Sequence, residues 1–225
     1  MLKNISNLGD AALYCDFGIQ VNKTTNLEVI KYFNTIREKK IKGINNLTPS
    51  YNKLIISFDL RVTNFSEIKN KIENLDTTIE QNKNNKKIEV PVCCEENFAL
   101  DKSRLEKKLN LSYQEILTKF FDKEYFCYMT GFIAGMPFLG DIDENLRTQR
   151  LETPRVKVPQ GSVGITEQFA NIYSFDSPGG WNIIGNTPLK VFDDSKERDP
   201  NLINPGDTVI FKKISQQEYE SSNDK

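Results

Sequence analysis

The 225-residue sequence contains no histidine. That absence excludes Ser-His and Cys-His nucleophilic catalysis, His-ligated metals and imidazole acid–base chemistry within this chain. Cysteine is scarce. Cys15, Cys93, Cys94 and Cys127 form no C-x-x-C pair, and adjacent thiols suit neither a disulfide nor a zinc site. Four buried, reduced thiols are expected. No apolar run is long enough to cross a bilayer. The N-terminus MLKNISNLGDAALY lacks a basic stretch followed by a long apolar one, so no signal peptide is read and a cytoplasmic location is expected. An excess of one charge is also missing: 30 Lys and Arg stand against 31 Asp and Glu. Neither nucleic acid nor an anionic membrane is therefore an expected partner. No G-x-x-x-x-G-K-S/T run occurs, which excludes a Walker A loop.

What is present falls into contrasting halves. Residues 2–6 and 11–17 are β-prone. A helix follows, with Thr25 and Glu28 at capping-box spacing and Leu27, Ile30, Phe33 and Ile36 on one face. Residues 44–47 and 54–58 read as strands around the turn Thr48-Pro49-Ser50. A second helix over 65–75 starts at Asn64 and Ser66, residues 81–87 read as a polar loop, and residues 88–94 as a strand. The order ββαββαβ predicts a ferredoxin-like α/β sandwich over residues 1–94, in an α+β protein. Two helices, 103–109 and one starting at the Ser112–Glu115 capping box, predict a connector over 95–124. Most of the glycine and proline, and the single tryptophan, then fall between Tyr125 and Phe192. Short β-prone runs at 125–130, 156–158, 162–165, 172–175, 181–184, 189–192 and 208–212 predict an all-β barrel or sandwich over 125–214. The tail, 215–225, is expected to be polar and frayed.

Several motifs in this second half carry candidate chemistry. GSVGI (Gly161, Ser162, Gly164) and SPGGW (Ser177, Gly179, Gly180, Trp181) either cradle an anion through backbone N–H groups or form barrel corners. The run GFIAGMPFLG offers Phe132, Met136 and Phe138 as a pocket wall or as a plug of the barrel end. Arg147, Arg150, Arg155 and Lys157 cluster, and Arg155 stands in rigid backbone between Pro154 and Pro159, suited to a carboxylate or phosphate. Asp141, Asp143 and Glu144 are either an acid–base or Mg²⁺ group or a solvated turn and helix cap. Asp176 either orients a substrate or makes an Asx turn. No catalytic residue and no metal site is assigned.

Taken together, GFIAGMPFLG, TPRVKVPQGSVGI and IYSFDSPGGWNIIGNTPLKVFD, with GDAALYCDFG and NLTPSYNKLIISFD upstream, resemble the family of the 5-oxoprolinase B subunit. That family is also described as allophanate hydrolase subunit 1 and includes a Kip-type inhibitor of a sporulation histidine kinase. The resemblance covers about residues 5–213. It implies a C-terminal cyclophilin-like β-barrel, A and C subunits as partners, ATP with Mg²⁺ in the assembled complex, and a small lactam, 5-oxoproline, opened to glutamate. The alternatives it carries are a regulatory protein that inhibits a histidine kinase and a non-catalytic assembly partner. The chain departs from the family pattern in four places. Gln168-Phe169-Ala170-Asn171 replaces a Gly-Gln-Thr-Gly run, Ser174 replaces the Pro after Tyr173, Phe-Phe-Asp-Lys without His precedes Glu124, and Asn186 replaces a cation.

Overall fold

The computed structural model describes residues 2–77 and 85–223. It divides into two compact units, Met1–Asn84 and Asn85–Lys225. The expected polar loop at 81–87 lies mostly outside the described residues.

In the first unit, strands β1 (Asn4–Asn7), β2 (Ala12–Asp16), β3 (Ile44–Pro49) and β4 (Lys53–Phe58) form a sheet of order β1-β2-β4-β3 with every pair antiparallel. Helix α1 (Lys23–Lys39) links β2 to β3, and β4 lies between those two parallel strands. That split β-α-β arrangement is the ferredoxin-like signature. Strand β4 is buried at alternate positions, so Leu54, Ile56 and Phe58 meet Val29 and Ile36 of α1 and Ile68 and Ile72 of α2 (Phe65–Glu73) in one apolar core. Helix α1 begins one turn earlier than the Thr25–Glu28 spacing suggests. Asn22 has an extended backbone and its side chain accepts the Thr25 N–H at 2.9 Å. Helix α2 is capped as expected, by Asn64 on the Glu67 N–H.

The expected last strand of this unit belongs elsewhere. Strand β5 (Lys87–Cys93) pairs in parallel with β13 (Thr208–Ile214) and touches β12 (Asn182–Asn186) through Asn186 and Cys93. The boundary between the units therefore falls at residues 84/85 rather than after residue 94. The place beside β2 that a fifth strand would fill is taken by β1.

The second unit is a closed barrel of order β10-β7-β6-β13-β5-β12-β9. It comprises β5, β12 and β13 with β6 (Glu124–Thr130), β7 (Pro137–Gly140), β9 (Ser162–Thr166) and β10 (Phe169–Ile172). Strands β8 (Arg155–Val158) and β11 (Ser177–Gly179) form a separate two-stranded ribbon. Helices α3 (Lys102–Leu109) and α4 (Tyr113–Phe121) are part of the barrel unit, not a connector. Leu105, Ile116, Leu117 and Phe120 lie in the same core as Val90, Tyr125, Val209 and Phe211. The Ser112–Glu115 capping box of α4 forms in both directions.

Three further expectations are corrected. The strand placed at 172–175 is β10, ending at Ile172, and residues 189–192 contribute only a bridge from Phe192 to Asn201. The tail is not frayed but forms helix α5 (Gln216–Asn223). Ser215 and Glu218 exchange capping hydrogen bonds at its start, and the Tyr219 hydroxyl donates to Asn186 Oδ1 at 2.8 Å. Among the described residues no helix is long and apolar enough to cross a membrane.

Candidate functional site

Side chains alternate across a strand. Leu139, Val163, Ile165, Ala170, Ile172 and Ile184 enter the barrel core. The intervening Phe138, Asn171, Gly164 and Ile183 are register partners and make a row across the outer face of β7, β10, β9 and β12. Met136, Val158, Tyr173 and Trp181 pack with Ile183 and Phe138 over that row. Phe138 and Trp181 meet edge to face at 5.6 Å.

Polar groups are buried within this layer. Asn171 is 0% exposed. The Trp181 main-chain N–H and the Asn171 amide both approach the Tyr173 hydroxyl, neither in a well-aligned bond. Burial pushes the Tyr173 phenol above its ordinary pKa, while those two donors pull the other way. From β8, Arg155 Nη2 donates to Asp101 Oδ1 at 2.7 Å, with side chains 26% and 5% exposed. Asp101 is in turn pinned to β12. Its Oδ2 accepts the Ile183 N–H at 2.7 Å, and its own N–H donates to the Ile183 carbonyl at 3.1 Å. Four buried polar atoms of this region have no hydrogen-bond partner among the described residues: Arg155 Nη1, Asn171 Oδ1, Asn171 Nδ2 and Ser177 Oγ.

The glycines of this region serve close packing. The Gly161 N–H donates to the Tyr173 carbonyl at 2.8 Å and its carbonyl accepts the Thr187 N–H, at a φ of +80° that favours glycine. The Ser162 N–H donates to Pro159. Gly164 is laddered between β10 and β12, and a Cβ there would stand 2.7 Å from Asn171 Oδ1. A Cβ on Gly179 would overlap the Tyr173 hydroxyl, and the Gly180 carbonyl accepts the Leu151 N–H. The Gly161 and Ser162 amides are thus consumed within the barrel. These contacts are those of a barrel corner.

The remaining candidates separate. Met136 and Phe138 join the layer, but Phe132 does not line it, being 71% exposed at the surface. Asp143 caps a single 3₁₀ turn through the Asn145 N–H, and Asp141 accepts the Tyr128 hydroxyl. Asp176 accepts the Gln160 N–H and pairs with Lys157 at 2.7 Å. All four cysteines are free and buried. Arg150 lies apart from Arg155, lining a cleft of about 190 Å³ with Arg104, Lys108, Thr148, Gln149 and Glu152. Asp101, Asn171, Tyr173 and Asn182 were not candidates from sequence. Only the departure at Asn171 from the family pattern marked one of them.

Residues 3–203 match the carboxyltransferase domain, subdomain C and D family. The chain belongs to that family. Within it, the chain is 32% identical to the B subunit of 5-oxoprolinase from Bacillus subtilis (strain 168), over 96% of this chain and 94% of that protein. The crystal structure of TTHA0988 superposes with a TM-score of 0.82 at 26% identity, over 92% of this chain but only 40% of that one. The urea amidolyase of K. lactis shares the fold, with a TM-score of 0.77 at 17% identity over 96% of this chain and 15% of that enzyme. In this member of the carboxyltransferase C and D family, two departures noted in the sequence have structural uses. Asn171 fills the centre of the outer row. Asn186 donates to the Gln160 carbonyl and accepts from Tyr219, so it binds α5 to the barrel.

Proposed function

We propose that this chain is the B-type component of an ATP-dependent 5-oxoprolinase and opens 5-oxoproline to glutamate together with A- and C-type subunits. The observation that carries this reading is the near full-length identity to a protein named as the B subunit of 5-oxoprolinase.

The chemistry agrees as well. A lactam carbonyl is a poor electrophile. Moving the terminal phosphoryl group of ATP to its oxygen releases ADP; water then adds to the carbon, the C–N bond breaks with the amine taking a proton, and a second water releases phosphate from the acyl phosphate to give glutamate. The Gly161 and Ser162 amides, already bonded within the barrel, offer no donors to the phosphates of ATP. The contribution of this chain is positional. Arg155 Nη1 is a donor suited to a carbonyl or carboxylate, Asn171 Oδ1 an acceptor suited to a lactam N–H, and Ser177 Oγ serves as either. A buried polar atom without a partner costs about 1–3 kcal/mol. Retaining four in one region fits a ligand or a neighbouring subunit that satisfies them.

Co-expression tests the assembly. A tagged C-type homologue should retain this chain through size-exclusion chromatography. Separate elution at micromolar concentration would remove the assignment to a multi-subunit enzyme.

A further inference from the structure

We propose that the cleft between α3 and the loop after the 3₁₀ turn binds a phosphate group. It is independent of the 5-oxoprolinase reading. Arg104 and Lys108 stand four residues apart on α3, and Arg150 approaches from the loop with Thr148, Gln149 and Glu152. Like charges at that helical spacing repel. Among the described residues no carboxylate forms an ion pair with Arg104, Lys108 or Arg150, whereas Arg61, Arg147, Arg155, Lys157 and Lys190 all have one.

The guanidinium of Arg104 is held in advance. Its Nε donates at 3.0 Å to Oδ1 of Asn182, a residue with no solvent exposure. Asn182 Nδ2 donates to the Ile165 carbonyl of β9 and to the Gln149 carbonyl of the loop, both at 3.1 Å. One buried amide therefore fixes both walls of the cleft to the barrel. With Nε committed inward, the two Nη groups of Arg104 remain as donors, in the fork that suits an oxyanion. The Thr148 hydroxyl and the Gln149 amide add neutral donors.

Charge and size select the ligand. Three cations and one carboxylate give the lining a net charge of about +2, which matches a phosphate group near pH 7 better than a monoanionic carboxylate. The volume of about 190 Å³ accommodates a phosphate but not a whole nucleotide, so any nucleotide would leave its base outside. The cleft shares no lining residue with the Arg155 layer, whose guanidinium pairs through Nη2 with Asp101.

Calorimetric titration of the full chain with inorganic phosphate, at constant ionic strength and pH 7.5, tests this. The expected result is saturable binding that R150Q and K108Q each weaken by about threefold or more, with acetate failing to bind at the same concentration. E152Q, at an exposed position that should not disturb folding, tightens binding. Competition by ADP supports a nucleotide-borne phosphate, and its failure supports free phosphate. Absence of saturable binding, acetate binding as tightly as phosphate, or affinities unmoved by both R150Q and E152Q would overturn the proposal.

Discussion

Truncating Arg155 to alanine strips Asp101 of its guanidinium partner while leaving the carboxylate 5% exposed and bonded to the Ile183 N–H. Breaking a fully buried pair costs about 3–5 kcal/mol. Arg155 is 26% exposed, so solvent screening lowers the expected cost to about 1–3 kcal/mol. Chemical denaturation of R155A, D101N and the double variant checks this. The cycle should show coupling of about 1 kcal/mol or more, and additive effects would mean the pair is idle. The thiols give a second test at this scale. Burial raises the pKa of Cys15 and of Cys94 to about 12 and pushes Cys127 higher still. A raised pKa keeps these groups protonated at pH 8, so the folded chain should resist iodoacetamide there, while the unfolded chain takes up four equivalents. Sequence reading placed the thiols correctly because apolar neighbours in a strand imply burial. It picked out Arg155 from the flanking prolines but missed Asp101. That partner is 54 residues away, and no local pattern encodes a pairing made by a tertiary fold.

Elements were legible where local chemistry decides them. Asn64 before α2 and the Ser112–Glu115 box before α4 are local signals, and both form. The same S-x-x-E pattern at Ser215–Glu218 opens α5, although a polar composition suggested a frayed end. What holds α5 in place is non-local: Tyr219 reaches Asn186 and stacks on Phe98 at 4.5 Å. Tyr219→Phe should therefore cost about 1 kcal/mol in thermal unfolding, by loss of one partly buried hydrogen bond. An unchanged midpoint would mean that α5 is not docked through Asn186. Gly164→Ala probes the outer row. A Cβ 2.7 Å from Asn171 Oδ1 and 3.0 Å from Trp181 Cβ forces repacking, with an expected loss of about 1–3 kcal/mol. The G164A/N171A pair should recover part of that loss. Strand β5 was found from its alternation but assigned to the wrong sheet, because Val90 and Val92 suit either core and its parallel partner β13 lies more than a hundred residues away.

At the scale of the whole chain, each unit has its own apolar core. Residues 85–225 expressed alone should give a cooperatively unfolding β-rich protein by circular dichroism, and a non-cooperative transition would contradict the division at residues 84/85. The α+β class and the barrel were readable from the sequence, since periodicity and turn residues report most elements, but short strands such as β7 and β11 left no signal. Family membership was readable from the joint order of motifs that are weak singly. The functional layer was only partly readable. Its glycines read equally as anion cradles or barrel corners, and at Gly161, Gly164 and Gly179 it is Thr187, Asn171 and Tyr173 that leave no room for a Cβ. The most direct measurement is ATP-dependent ring opening of 5-oxoproline by reconstituted A- and C-type subunits, with and without this chain. The account predicts glutamate and ADP formation that collapses when the chain is omitted and returns on its addition. Equal turnover in its absence would contradict it.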